Sequence, residues 1–398
     1  MQAFVYEAAP TRVVFGHGTF RQLPDEVARL GLERALVLAT PQQAQEAQRI
    51  VATLGGRSVG SFAEAAMHTP VAVTEKAMAV VAARGVDGLI AVGGGSTTGL
   101  AKAIALRSDL PQIVVPTTYA GSEMTPILGE TRDGRKTTQS SAKIRPEVVI
   151  YDVDLTLTLP VGLSGTSGIN AIAHAVEALY AREANPIISL MAEEGIRSLA
   201  CALPKIATDP LDRAARSDAL YGAFLCGACL GAVGMALHHK LCHTLGGTFD
   251  LPHAETHTVV LPHALAYNAP AIPKALARIE RALGTGNAPL RLYELAGEVG
   301  AARALKQIGM PQDGIAQAAG LAIANPYWNP RPLERDGLEQ LLANAWEGWA
   351  PGLGPGSADF LSAIGSGNVA RRADWKSALP ENELAQDSRK TTNKGGKP

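Results

Sequence analysis

The chain has 398 residues, which favours two packed domains over one. Hydrophobic residues make up 46% and charged residues 18%, the composition of a globular protein with ample core; the net charge of −1 carries no basic stripe and argues against nucleic acid as a partner. The opening "MQAFVYEAAPTRVVFG" lacks the basic start and apolar block of a signal peptide, and no apolar run reaches membrane-span length. The segment "FVYEAAPTRVVFG" reads as a β-hairpin around Pro10. Buried strands follow at 34–40 ("RALVLAT"), 88–95 ("GLIAVGGG"), 112–118 ("QIVVPTT") and 146–152 ("PEVVIYD"), with helical segments between them. That alternation predicts a parallel sheet with right-handed crossovers.

After about residue 155 helical periodicity takes over, in "GTSGINAIAHAVEALYA", "SLMAEEGIRSLACALPKI" and "ARSDALYGAFLCGACLGAVGMALHHKLCHTL". The expected fold is therefore α/β: an N-terminal Rossmann-like parallel-sheet domain over 1–155, followed by an all-helical catalytic domain over 156–352. Residues 353–398 are rich in Gly, Ser, Asn and Lys without sustained periodicity, and read as a disordered tail. The four cysteines, Cys201, Cys226, Cys229 and Cys242, lie in helical sequence and suit reduced thiols in a cytoplasmic protein. Cys226 and Cys229 form a C-x-x-C with no strand–turn context, so they read as small residues packing a helix.

Two loops suit an anionic ligand. "AVGGGSTTGLAKA" runs from a strand into a helix, so Gly94 and Gly95 admit close backbone approach while the N–H groups near Ser96 and Thr97 face an anion. "PTTYAGSE" places Thr117, Thr118 and Ser122 at the carboxyl end of the next strand, where open α/β sheets bind ligands. Together they point to a dinucleotide. An acidic residue after "LVLAT" would repel a 2′-phosphate; Thr40 carries no charge there, so both NADH and NADPH are expected.

The chain has nine histidines, and four fall in "LHHKLCHTLGGTFDLPH". His239 and His243 lie four apart on one helix face, as do Asn170 and His174 on an earlier helix; His253 follows a proline turn. Three imidazoles, His174, His239 and His253, suit zinc or iron(II), or acid chemistry without metal. His17, His68, His257 and His263 show no such pairing and read as core or structural residues.

The motifs "FGHG", "GGGSTTGLAKA", "PTTYAGSE", "GINAIAHAVEA", "HHKLCHTLGGTFDLPHAETHTVVLP" and "NPYWNPRPL" resemble the iron-containing alcohol dehydrogenase superfamily over residues 1 to 350, and within it the maleylacetate reductase branch. The resemblance implies that metal-dependent members carry Asp at the position of Asn170 and ligands at His174, His239 and His253, with a further active-site histidine at His243. It also implies Asp where Gly99 stands. Loss of the one anionic ligand predicts a site without functional metal. The implied reaction is NAD(P)H-dependent reduction of the conjugated C=C of a small dicarboxylate, maleylacetate, to 3-oxoadipate. His243 is the expected proton donor, shaped by His174, His239 and His253; Asn170, Lys240 and Arg331 are candidate substrate contacts. A homodimer is implied, with no membrane partner. A metal-dependent alcohol or polyol dehydrogenase is the main rival; a lyase using NAD catalytically and a non-catalytic nucleotide binder are the others.

Overall fold

The structure is a computed structural model that describes residues 3–132 and 135–352. Six parallel strands form one sheet: β1 (Arg12–Gly16), β2 (Ala35–Leu38), β3 (Ser58–Phe62), β4 (Gly88–Gly93), β5 (Gln112–Pro116) and, after a hairpin of β6 (Ile127–Arg132) and β7 (Arg135–Ser140), β8 (Val148–Asp152). The spatial order is β1-β8-β5-β4-β2-β3. Strands β4, β5 and β8 are buried at every position, which explains their near-continuous apolar runs.

Alternate strand residues feed two cores. Ile90 and Val92 pack with Leu23 and Val27 of α1 (Leu23–Arg29) and Ile50 of α2 (Ala44–Leu54). Leu89 and Ala91 pack with Ala77 and Val81 of α3 (Val71–Arg84) and Leu100 and Ile104 of α4 (Gly95–Ser108). The sheet is thus wound on both faces.

The expected hairpin at Pro10 is corrected. Residues 3–11 form no strand, and β1 instead pairs in parallel with β8, Arg12 opposite Val148. Pro10 has no N–H to give a ladder, and the residues before it are exposed, so no buried face draws them into a sheet. The short strand β3 and the β6–β7 hairpin had no clear periodic signal. The antiparallel hairpin hangs beside the sheet on a separate pairing, Ile127 opposite Ser140.

The helical part begins with α5 (Val161–Ala178), buried from Ser164 onward, and α6 (Pro186–Thr208) and α7 (Arg213–Leu230) pack around it. Then come α8 (Leu237–Phe249), α9 (His253–Asn268), α10 (Pro273–Leu283), α11 (Ala288–Glu298), α12 (Gly314–Ala324) and α13 (Arg335–Glu347). Cys226 and Cys229 are buried free thiols on α7, and burial pushes the Cys229 thiol up to about 12, which suits packing and not redox work. Among the described residues no helix is long and apolar enough to cross a membrane. The expected tail, 353–398, lies outside the described residues.

Candidate active site

Three loops meet at the carboxyl ends of β2, β4 and β5, next to the point where the strand order reverses. Thr40 follows β2, and its hydroxyl donates to Gln43 Oε1 at 3.2 Å. Gln43 in turn lies over Gly93: a Cβ there would stand 2.6 Å from Gln43 Oε1, and Gly93 has φ +144, a conformation that favours glycine. Thr117 N–H donates to the Gly93 carbonyl at 2.9 Å, and Thr118 packs its methyl beside Gly94. The Thr97 hydroxyl turns back to the Gly94 carbonyl at 2.8 Å.

Gly95 differs from its neighbours. A Cβ on it would meet nothing within 4 Å, so open space lies above the first turn of α4. No side chain caps that turn, and its leading N–H groups, at Gly95, Ser96 and Thr97, have no acceptor within the helix. That cradle fits a pyrophosphate. Gln43 was not foreseen, because its role arises only when β2 and β4 lie side by side. Ser122 lies elsewhere than expected: its carbonyl and hydroxyl face the Lys102 amine at 2.5 and 3.4 Å, so it belongs to the anchor of its own loop. Lys102 also donates to Thr125 Oγ1 at 2.8 Å and the Ile127 carbonyl at 2.9 Å; burial pulls its amine down to about 7. Gly99, on the next turn of α4, has no room for the family's Asp: a Cβ there would stand 2.3 Å from Thr69 Oγ1.

The histidines gather between α5, α8 and α9. Asn170, His174 and Glu177 occupy successive turns of one α5 face. The His174 and His239 rings stack at 5.1 Å. His239 stands 6.1 Å from His243, and His253, exposed at the start of α9, packs on His257 at 4.3 Å between ring centres. The α8–α9 connection is short because Asp250 takes φ 54 and Pro252 starts the next helix. Burial, then the neighbouring His239, His253 and His243, hold the His174 pKa well below the usual imidazole value.

Glu177 organises the cluster. It is fully buried, and its carboxylate accepts from Ala236 N–H and His238 N–H, each at 2.7 Å, and from His239 Nδ1 at 2.8 Å. It thereby caps the N-terminus of α8 with a negative charge and fixes the His239 ring. With Nδ1 bonded to the carboxylate, His239 Nε2 points elsewhere; it and Asn170 Oδ1 are buried and have no partner in the protein. Glu177 follows His174 by three residues, so helix spacing carried a signal for it.

On the outer side, His243 Nδ1 and the Tyr327 hydroxyl lie 3.0 Å apart. Lys240 Nζ sits over the Tyr327 ring at 5.6 Å and is partly exposed. Tyr327 lies in "NPYWNPRPL", yet nothing in the sequence set it against His243. Arg331 is turned away from the cluster: it donates to the Tyr267 carbonyl at 2.9 Å and stacks on the Tyr267 ring at 4.2 Å. His257, read from sequence as unpaired, in fact faces His238, with Nδ1 and Nε2 at 2.9 Å.

Comparison with known proteins agrees with this arrangement of a nucleotide-type sheet and a histidine-lined helical site. Residues 10–153 match the family model "iron-containing alcohol dehydrogenase", and residues 164–346 match "Fe-containing alcohol dehydrogenase family, C-terminal". The chain belongs to the iron-containing alcohol dehydrogenase family. It is an oxidoreductase. It is 60% identical to the maleylacetate reductase of Sphingobium indicum over 348 residues, covering 87% of this chain and 99% of that one. Identity to the maleylacetate reductase of Rhizobium sp. strain MTP-10005 is 56%, over 88% of this chain and all of the relative. The crystal structure of maleylacetate reductase from Agrobacterium tumefaciens superposes with a TM-score of 0.86 at 56% identity, covering 88% of this chain and 100% of the other.

The family name implies iron, and the donor set fits it poorly. Asn170 supplies an amide where a cation needs charge, and the nearest carboxylate, Glu177, is occupied by three N–H groups. Among the described residues, the trio whose donor atoms all lie within 4.8 Å is His238, Cys242 and His257, not the expected His174, His239 and His253. In that trio the 2.9 Å separation of His238 Nε2 and His257 Nδ1 is a hydrogen bond, shorter than the roughly 3.3 Å between two nitrogens on one tetrahedral ion. Burial also holds the Cys242 thiol protonated, well above its ordinary range.

Proposed function

We propose that this chain reduces maleylacetate to 3-oxoadipate with NADH or NADPH, in the cytoplasm, as a homodimer and without a resident metal. The observation that carries the reading is Asn170 one turn before His174, whose ring stacks on His239: a family site with its anionic position neutralised and its polar atoms, Asn170 Oδ1 and His239 Nε2, left unpartnered. The relatives at 50–60% identity bear the same name.

A bound nicotinamide supplies the hydride. Its acceptor is the C=C conjugated to a ketone, so electrons move onto the ketone oxygen and negative charge develops there. The histidine cluster provides the hydrogen-bonding groups which that oxygen needs. His243 donates the proton, and the Tyr327 hydroxyl 3.0 Å from its Nδ1 orients the ring and links it to solvent. Lys240, partly exposed over Tyr327, meets a substrate carboxylate. The balance is one hydride and one proton added across C=C. Arg331, bound to Tyr267, is not among the substrate contacts we propose.

The test is NADH consumption with maleylacetate, before and after exhaustive dialysis against chelator. Turnover is expected to survive chelation, and His243→Ala to lower kcat by about 100-fold, a typical share for a general acid. A metal-free wild type that is inactive until stoichiometric Fe²⁺ or Zn²⁺ restores it would instead establish the metal-dependent alcohol dehydrogenase reading.

A further inference from the structure

Thr166 stands one turn before Asn170 on α5 and extends the face that Asn170, His174 and Glu177 share. Its hydroxyl is buried with no partner in the protein. A hydroxyl inside a helix ordinarily turns back to the carbonyl four residues earlier. Ser164, Ser167, Thr244, Thr256 and Thr258 all do so, at 2.6 to 3.0 Å. Thr166 makes no such bond, and the packing of α5 shows which way it faces. Gly165 lies against Val299, Gly168 against Leu203 of α6, and Ser164 against Arg216 of α7. At about 100° per residue, Thr166 is on the side opposite Ser164 and Gly168. That side is not sealed. From Ile169 to Ala178 every α5 residue is at 0% exposure except Asn170 and His174, which keep 4%, as Thr166 does. A narrow opening therefore follows this row at four-residue steps, about 6 Å apart. One end of the row lies by the cofactor loops: Arg216 donates to Ser164 Oγ at 2.7 Å and to the Tyr119 hydroxyl at 3.2 Å, and Tyr119 follows Thr118. The other end, at His174, is the histidine cluster.

We infer that Thr166 is a substrate-contacting, specificity-determining residue: its hydroxyl donates to the carboxylate borne on the hydride-accepting carbon, and the Asn170 amide holds the same group from the next turn. The inference rests on the maleylacetate reading proposed above. Conjugate reduction delivers hydride to the alkene carbon farther from the ketone, and in maleylacetate that carbon carries a carboxylate. Hydride transfer requires this carbon to lie against the nicotinamide, so its carboxylate belongs at the cofactor end of the row. The ketone oxygen then reaches the histidines, and the second carboxylate lies beyond it toward Lys240. The Asn170 amide can turn its NH₂ group to the site in place of Oδ1. Two neutral donors suit this place. A carboxylate at position 170 would repel the substrate, whereas a buried hydroxyl without a partner is a cost to the fold that a bound anion offsets.

Two variants test this. Thr166→Val keeps the shape of the side chain and removes the hydroxyl, while Thr166→Ser keeps the hydroxyl. In steady state, Thr166→Val is expected to raise KM for maleylacetate about 10- to 100-fold, the range for a hydrogen bond to a charged group, with the NADH dissociation constant within about 2-fold of wild type. Thr166→Ser should bring KM back to within about 3-fold of wild type. Melting temperature is a second readout that needs no turnover. The hydroxyl has no partner in the protein, so Thr166→Val should melt at or above the wild-type temperature. A fall of more than about 4 °C would mean that the protein itself holds the hydroxyl, and overturns the inference. An unchanged KM for maleylacetate in Thr166→Val, or a loss confined to NADH affinity, overturns it too and leaves the proposed reaction standing. No turnover of maleylacetate by wild type overturns the proposed reaction, and the carboxylate assignment with it.

Discussion

His239 Nδ1 lies 2.8 Å from Glu177 Oε2, with both side chains out of reach of solvent. The same carboxylate holds the N–H groups of Ala236 and His238, so one buried acid sets both where α8 begins and which way its second histidine points. Geometry at the site therefore depends on a residue with no exposed surface.

Glu177→Gln tests this dependence. An amide has one acceptor oxygen for three donors, so at least one N–H would face an NH₂ group. Loss of about 3 kcal/mol in urea unfolding is expected, together with a fall in kcat/KM. A change below about 1 kcal/mol would mean that α8 is held by packing and not by its charged cap.

The adjacent glycines separate folding from cofactor binding. Gly93→Ala forces a side chain into a φ of +144 and onto Gln43 and Thr97, so the fold should lose on the order of 1–3 kcal/mol. Gly95→Val meets open space in the protein and should fold normally, yet bind NADH at least 10-fold more weakly because its side chain stands where a phosphate must approach. Unchanged NADH affinity in a folded Gly95→Val, measured by fluorescence titration, would move the pyrophosphate elsewhere.

Thr40→Asp places a carboxylate between β2 and the Gln43 side chain. It should penalise NADPH about 10-fold or more relative to NADH, through repulsion of the 2′-phosphate. Equal effects on the two cofactors in steady-state assays would mean that the adenosine ribose lies away from this loop.

Acid should unfold the protein through its buried histidines. Burial pulls the His263 pKa from 6.5 to about 4, and holds His174, His238 and His257 low as well. Imidazoles of this kind bind protons more readily in the unfolded chain. Their stabilisation is fully present above pH 6.5 and is lost as pH falls toward 4. Urea midpoints should drop steeply across that window, and His263→Leu should flatten the slope by about one proton. A midpoint independent of pH from 7 to 4.5 would contradict the neutral, buried state.

The sequence by itself determined the strand–helix alternation of the first part, the helical character of the second and the kind of chemistry. Continuous apolar runs such as "GLIAVG" belong to strands buried on both faces, and the periodicity of "GINAIAHAVEA" belongs to a buried helix; these are local patterns, so they survive without coordinates. Spacing also put Asn170 and His174 on one face, and the triple glycine announced a ligand loop, while Glu177, one turn further on, was missed. What only the tertiary structure decided were relations across elements. His238 meets His257 because a left-handed residue, Asp250, folds α9 back on α8; Tyr327 meets His243 across 84 positions of chain; Gln43 covers Gly93 because β2 lies beside β4. Residues 3–11 misled because alternation without a buried face does not make a strand, and Ser122 misled because the buried amine of Lys102 needed oxygen acceptors more than an open loop needed a hydroxyl. Local pattern encodes which surface each element buries, while the partner waiting on that surface is fixed by the packing of segments far apart in the chain.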